Sequence, residues 1–270
     1  MAIFRRRINV FQTALFLKVD LEIDVSFILE PIVSSGGHLM AMELLSRFFV
    51  SGEMNPTNLS PELLFRKITS EQKKKLLSCQ IDAIKTQSIF FLKNNIICSL
   101  NIDECLADFI CNTPDVRRRL INMPFIRLEI SEAFPELDNA MRNPLLTDLS
   151  RDFGLWLDDF GSGYANMSAV HSGLFEAVKI DKAFFWKHIE SPLWPGLLRE
   201  VRRDVTSIVV EGVETERHTE QLRDSVEGMQ GYLFPPVPLS DPGVALILPV
   251  SPDSTAKIPG SMISLRQRPP

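Results

Sequence analysis

Apolar runs recur along the chain, and each is closed by an acid, a lysine or an amide: MAMELLSR, CSLNID, IRLEISE, LWLDDFGSGYAN, AVKID, VVEGVET and MQGYLF. Their lengths suit buried strands, and the intervening segments carry helix signals from Phe27 onward. Strands are predicted near 25–33, 38–46, 96–102, 125–130, 154–159, 176–181, 206–211 and 228–233. Eight strands alternating with helices close a TIM-like (β/α)8 barrel, whose active site sits at the C-terminal rim of the strands. The first two are separated only by SSGGH, too short for a helical crossover. They are expected to form a hairpin, leaving one barrel strand antiparallel near the N-terminus.

Helix starts are marked by Ser60 before Pro61 and Thr113 before Pro114, a capping side chain ahead of a proline at the first helical position. Residues 60–87 hold no strand-like run and are read as one or two outer helices, with Lys73, Lys74 and Lys75 on a solvated face. After Leu248 the chain turns rich in Pro and Ser. This gives an N-terminal arm over 1–22, a barrel over 23–250 and a flexible C-terminal tail over 251–270.

A length of 270 residues, 45% of them hydrophobic, allows one large barrel or two ordinary domains, and the regular strand spacing favours the barrel. A formal net charge of −5 leaves no basic footprint for long nucleic acid, so a nucleotide ligand should be small and specifically held. Cys79, Cys98, Cys105 and Cys111 lack C-x-x-C spacing, which points to reduced thiols and a cytoplasmic setting. The basic, partly apolar start is interrupted by Gln12 and Lys18 without a small-residue cleavage site, and no run reaches the roughly 20 apolar residues of a membrane span.

The groups at the strand ends are Glu43, Asn101, Glu129, Asp158, Asp159, Lys179 and Glu211. Carboxylates and one amide are hard oxygen ligands that suit Mg²⁺ or Mn²⁺. The neighbouring Asp158 and Asp159 can serve two ions roughly 3.5 to 4 Å apart, the spacing of two-metal phosphoester hydrolysis. Taken singly, such acids are more often solvated or helix-capping groups, and GSG at Gly161–Gly163 is more often a tight turn. His38, His171, His188 and His218 have no ligand spacing, and Trp186 and Trp194 read as packing residues.

In their order these motifs resemble the EAL domain, the cyclic di-GMP phosphodiesterase barrel, over about Phe27 to Leu248. The carriers are EPIV at Glu30, ELLSR at Glu43, SLNID with Asn101, LEISE with Glu129 and Glu132, DDFGSGYANMSAV at Asp158, KID at Lys179, EGVET at Glu211 and QGYLF at Gln230. The resemblance implies one metal at Glu43, Asn101, Glu129 and Asp158, and a second at Asp158, Asp159 and Glu211. Asp158, Lys179 and Glu211 would be catalytic, and Arg47, Glu214 and Gln230 would serve the ligand. Glu132 would anchor the loop after the paired aspartates. A homodimer is also implied, and with no separate sensor domain seen in the sequence, regulation is expected from expression level, the N-terminal arm, dimerisation or an unknown protein partner. The sequence departs from the pattern at Leu44, where the family has alanine, and at Glu30, where it usually has glutamine. The leading expectation is hydrolysis of cyclic di-GMP to linear pGpG, favouring motility over biofilm. The alternative is a catalytically weak or inactive barrel that acts as a dinucleotide receptor or protein-binding regulator.

Overall fold

The computed structural model describes residues 22–52, 58–131, 133–162 and 167–246. Ten strands occur among them: β1 (Ile23–Ser34), β2 (Leu39–Val50), β3 (Asn58–Leu59), β4 (Ile97–Asn101), β5 (Ile126–Ser131), β6 (Gly154–Phe160), β7 (Phe175–Ile180), β8 (Ser207–Val210), β9 (Gly228–Met229) and β10 (Val237–Pro238). Eight of these close a ring in the order β1-β9-β8-β7-β6-β5-β4-β2, sealed by the β1–β2 pairing. β3 and β10 hydrogen-bond to β2 and β1 outside that ring. The structure is the expected mixed (β/α)8 barrel, and all eight predicted strands are present.

β1 is antiparallel to both of its ring neighbours, β2 and β9, whereas the other ring pairings are parallel. The cause is local. Ser34 N–H donates to the His38 carbonyl at 2.8 Å, and Gly37 takes φ +79°, which only glycine adopts without strain. The chain therefore reverses within SSGGH instead of crossing over through a helix.

Outside the ring, residues 60–87 hold two helices, Pro61–Phe65 and Ser70–Thr86, within the expected one or two, and a further helix, Ser88–Asn94, follows directly. Ser60 caps the first, and Thr69 with Gln72 forms a reciprocal capping box on the second. Thr113 occupies the cap position of Pro114–Ile121 without a side-chain cap bond. The lysine triplet is not uniformly solvated. Lys73 pairs with Asp103 at 2.5 Å, and Lys74 lies 5.5 Å from the centre of the Phe109 ring, because helix Ser70–Thr86 packs beside Glu104–Asn112. All four cysteines are free thiols.

Alternation sorts the strand residues into two cores. Leu29, Met42, Leu44, Leu100, Leu128, Leu157, Val178 and Val210 belong to the large cluster formed with the outer helices. Ile32, Ala41, Trp156, Ala177 and Val209 form a separate cluster in the barrel interior, with Trp156 1% exposed. Small neighbours at Ala41 and Ala177 leave room for the one indole. This layer is the floor of the site, since Glu43, Asp158, Lys179 and Glu211 each lie two residues further along the same strand or just past its end. The N-terminal arm, apart from Glu22, and the 251–270 tail lie outside the described residues. Among the described residues no helix is long and apolar enough to cross a membrane.

Candidate active site

Lys179 stands at the centre of the mouth, fully buried at the end of β7. Its Nζ lies 2.8 Å from Glu43 Oε2, 3.0 Å from Glu129 Oε2, 3.0 Å from Asp158 Oδ1 and 2.9 Å from Glu211 Oε1. The repulsion expected among converging acids is thus relieved in part by an internal ammonium. Burial opposes that charge, but Asp158, Glu129, Glu211 and Glu43 together hold the Lys179 pKa well above its ordinary value.

The acids divide by the donors they receive. Burial works to raise the Glu43 pKa, but Lys179, Gln230 Nε2 at 2.8 Å and Asn101 Nδ2 at 2.6 Å overcome it, and the net shift is downward. Glu129 is completely buried, and burial together with the neighbouring Glu43 drives its pKa well up against Lys179. Burial also raises Asp158, and it lifts Glu211 to about 8.

Two consecutive aspartates on a regular strand would face opposite sides of the sheet. Here the β6–β7 pairing advances three residues on β6, from Leu157 to Phe160, against two on β7, from Val178 to Ile180, and Asp159 takes φ +59°. This extra residue turns Asp159 toward the mouth, the re-aiming that bulges beside active sites provide. Carboxylate oxygens of Asp158, Asp159 and Glu211 all lie within 4.8 Å of one another, as do those of Glu43, Glu129 and Asp158. Asp158 belongs to both groups.

The donor set fits hard divalent cations. It is all oxygen, it shares one carboxylate between two clusters, and Glu129 Oε1 is buried with no hydrogen-bond partner among the described residues. Asn101, at the end of β4, touches the first cluster through Glu43.

Of the residues assigned to the ligand, Gln230 is buried and donates to Glu43 and, at 3.3 Å, to Glu30. Arg47 lies on β2 with its guanidinium 3.5 Å from Glu30. Glu214 stands apart, exposed, with its backbone N–H donating to His218 Nδ1. Glu132 lies outside the described residues. A cavity of about 490 Å³ opens beside the cluster, lined by Glu43, Arg47 and Asn101 together with the apolar Phe65, Leu76 and Leu106.

Sequence reasoning missed the Trp156 floor and the role of Lys179 as a counterion shared by four acids. The first carries a signal, since Trp156 lies two residues before Asp158 on one strand. The second rests on contacts between residues as much as 136 positions apart, which no local pattern announces. Trp194 packs against Phe185, as a packing residue should, while Trp186 donates its Nε1 hydrogen to the Gly212 carbonyl at 2.8 Å.

Comparison with known proteins places this geometry. The Anti-FlhC(2)FlhD(4) factor YdiV of Salmonella typhimurium LT2 is 26% identical over 215 residues, covering 78% of this chain and 90% of the relative. The cyclic di-GMP phosphodiesterase PdeH of Escherichia coli K12 is 29% identical over 234 residues, covering 84% and 89%. The crystal structure of the EAL-like domain protein YdiV superposes with a TM-score of 0.77 at 25% identity, covering 83% of this chain and 97% of that one. The Klebsiella pneumoniae BlrP1 manganese and cyclic di-GMP complex shares the fold at a TM-score of 0.60 and 22% identity, covering 80% and 56%. The EAL domain family model matches residues 18–236, a span that takes in the whole ring of strands and every site group described above, and the chain belongs to the EAL domain family.

Proposed function

We propose that the chain is a metal-dependent phosphodiesterase that hydrolyses cyclic di-GMP to linear pGpG. The observation that carries this reading is the pair of carboxylate clusters joined at Asp158. Glu43, Asn101, Glu129 and Asp158 would hold one Mg²⁺ or Mn²⁺, and Asp158, Asp159 and Glu211 the other. Bound there, the ions would acidify a water and polarise the phosphodiester.

The chain's own groups have distinct tasks. Lys179 is held in place by four carboxylates and presents positive charge where negative charge develops on the phosphoryl oxygens. Gln230 and Asn101 fix the Glu43 carboxylate through hydrogen bonds to both its oxygens, so that its orientation does not depend on the ligand. Arg47 suits a phosphate oxygen through its planar fork. Exposed Glu214 and loop-anchoring Glu132 keep supporting roles in the proposal. Water enters at phosphorus, the sugar 3′-oxygen leaves with a proton, and the product retains a 5′-phosphate.

Incubation of the purified protein with cyclic di-GMP and Mg²⁺ or Mn²⁺, followed by chromatography, tests the reading. Metal-dependent pGpG that disappears in Glu43→Ala is the expected result, and no product from folded protein would overturn it. In a cell such an activity would act in the cytoplasm to lower the messenger and favour motility over biofilm. A homodimer is part of the proposal, and a one-chain mass on gel filtration would remove it.

A second reading is a barrel that binds the dinucleotide or a protein partner with little or no turnover. It draws support from the likeness to YdiV, whose name describes a factor directed against an FlhC2FlhD4 complex. Retention of every oxygen ligand among the described residues favours the enzyme.

A further inference from the structure

We infer that Glu30 is a resident anion at the phosphate position, holding Arg47 and Gln230 until a phosphodiester displaces it. The inference rests on the proposed reading of the site and deepens it by naming the residue that limits ligand affinity.

The strand register makes Glu30 costly. It sits directly opposite Glu43 across the antiparallel β1–β2 pair, and like charges in that relation repel. Glu43 is already engaged by Lys179, Gln230 and Asn101. Glu30 therefore draws its compensation from Arg47, whose guanidinium lies 3.5 Å from Oε1, and from Gln230 Nε2, 3.3 Å from Oε2.

Both contacts are long for interactions of a charged group, which close to about 2.7–2.9 Å when well formed. Elsewhere in the chain Arg127 meets Glu176 at 2.7 Å. The Glu30 clamp is loose by comparison, and loose contacts exchange readily for better ones. Arg47 also lines the cavity beside the carboxylate cluster, and its side chain is 32% exposed, so a ligand can reach it. A phosphodiester carries the same single negative charge as a carboxylate and accepts from the same fork. The two anions compete for one guanidinium, and each bound ligand must first expel Glu30.

The test is a titration of cyclic di-GMP in Ca²⁺, with chromatography checking that the dinucleotide stays intact. The proteins compared are wild type, Glu30→Gln, Glu30→Ala, Arg47→Ala and the Glu30→Gln/Arg47→Ala double variant. Both Glu30 variants should bind about tenfold tighter or better, a gain of about 1.4 kcal/mol. In the Arg47→Ala background the Glu30→Gln gain should shrink below about twofold. A gain in Gln but not in Ala would mean that an added amide donor, and not the lost anion, is responsible, and would overturn the inference. An unchanged Kd in both, or an equal gain without Arg47, would overturn it as well. If wild type binds and the substitutions change nothing, the inference alone fails. If neither wild type nor the Glu30 variants bind, the proposed function fails with it.

Discussion

Glu43 and Glu129 share one ammonium, that of Lys179, at 2.8 and 3.0 Å, yet their acidities move in opposite directions. Burial and the neighbouring Glu43 drive Glu129 up, whereas in Glu43 the ammonium and the amide donors overcome burial. Glu43 receives two amide donors, and Glu129 keeps one buried oxygen without a partner among the described residues. One acid is thereby favoured in its charged form, and the other carries a buried oxygen that a bound cation would satisfy.

Lys179→Met should destabilise the metal-free protein by about 3–5 kcal/mol, because it strands buried acids without their counterion. Urea denaturation in EDTA reads this directly, and a loss below about 0.5 kcal/mol would show that the ammonium is not what the fold relies on. Added Mn²⁺ should raise the Tm of this variant more than that of wild type.

Glu43→Ala should lower turnover of cyclic di-GMP by at least about 100-fold, more than is usual for residues that only orient a metal ligand. Mn²⁺ binding followed calorimetrically should weaken in parallel. Full metal affinity with lost turnover would move Glu43 from ligand to substrate contact.

At Asp159 the left-handed backbone separates conformation from charge. Asp159→Asn keeps a side chain that tolerates φ +59° and should leave stability within about 0.5 kcal/mol while weakening divalent binding. Asp159→Val should cost about 1–3 kcal/mol through backbone strain. Equal stability of the two variants would mean that the strand straightens.

The pH dependence follows from Glu211. Its folded pKa of about 8 lies above the ordinary 4.5, so between these values the native state keeps a proton that the unfolded chain has released. Its contribution is fully present below about pH 4.5 and is lost as the pH rises through about 8. Without divalent ions the Tm should fall across that window, and Glu211→Gln should flatten the decline. A Tm that climbs from pH 5 to 8 in the wild type, at values of about these, would contradict the assignment.

At the opposite end of the barrel, Gly154 lies under the Arg127–Glu176 ion pair, and an added Cβ would fall 2.0 Å from Glu176 Oε2. Gly154→Ala should cost about 1–3 kcal/mol by chemical denaturation. Arg127 Cδ and Nε would lie 2.5 Å from the same Cβ, so the cost should largely vanish only when Glu176→Ala and Arg127→Ala together remove the obstruction. Persistence in that triple variant would place the strain in the backbone instead.

How much of this was legible in the sequence varies with the range of the interaction. The eight ring strands were visible because their apolar runs are continuous, and the reversed β1 because SSGGH is too short for a helix. β3 and β10 are two residues each and owe their pairing to neighbouring strands, so no periodicity could reveal them. The helix Ser88–Asn94 was overlooked because it follows Ser70–Thr86 after the single residue Gln87. At the site, residue types announced the oxygen ligands. The pairing of Glu30 with Arg47 and Gln230 had to await the fold, since Glu30 and Gln230 are 200 residues apart in the chain. The bulge had a signal that was not used: two adjacent acids on a buried strand cannot both face the mouth without one.

The stacking of each working side chain two positions beyond a wall residue, as in Ala41 with Glu43, Trp156 with Asp158 and Ala177 with Lys179, makes the chemistry hostage to counting. Loss of the Met42 or Val178 codon would swing Glu43 or Lys179 out among the helices and bring Leu44 or Ile180 into the mouth. Insertions in the loops beyond the strand ends carry no such penalty. Over generations, length variation should therefore collect in those loops, while the spacing within the strands is kept residue for residue.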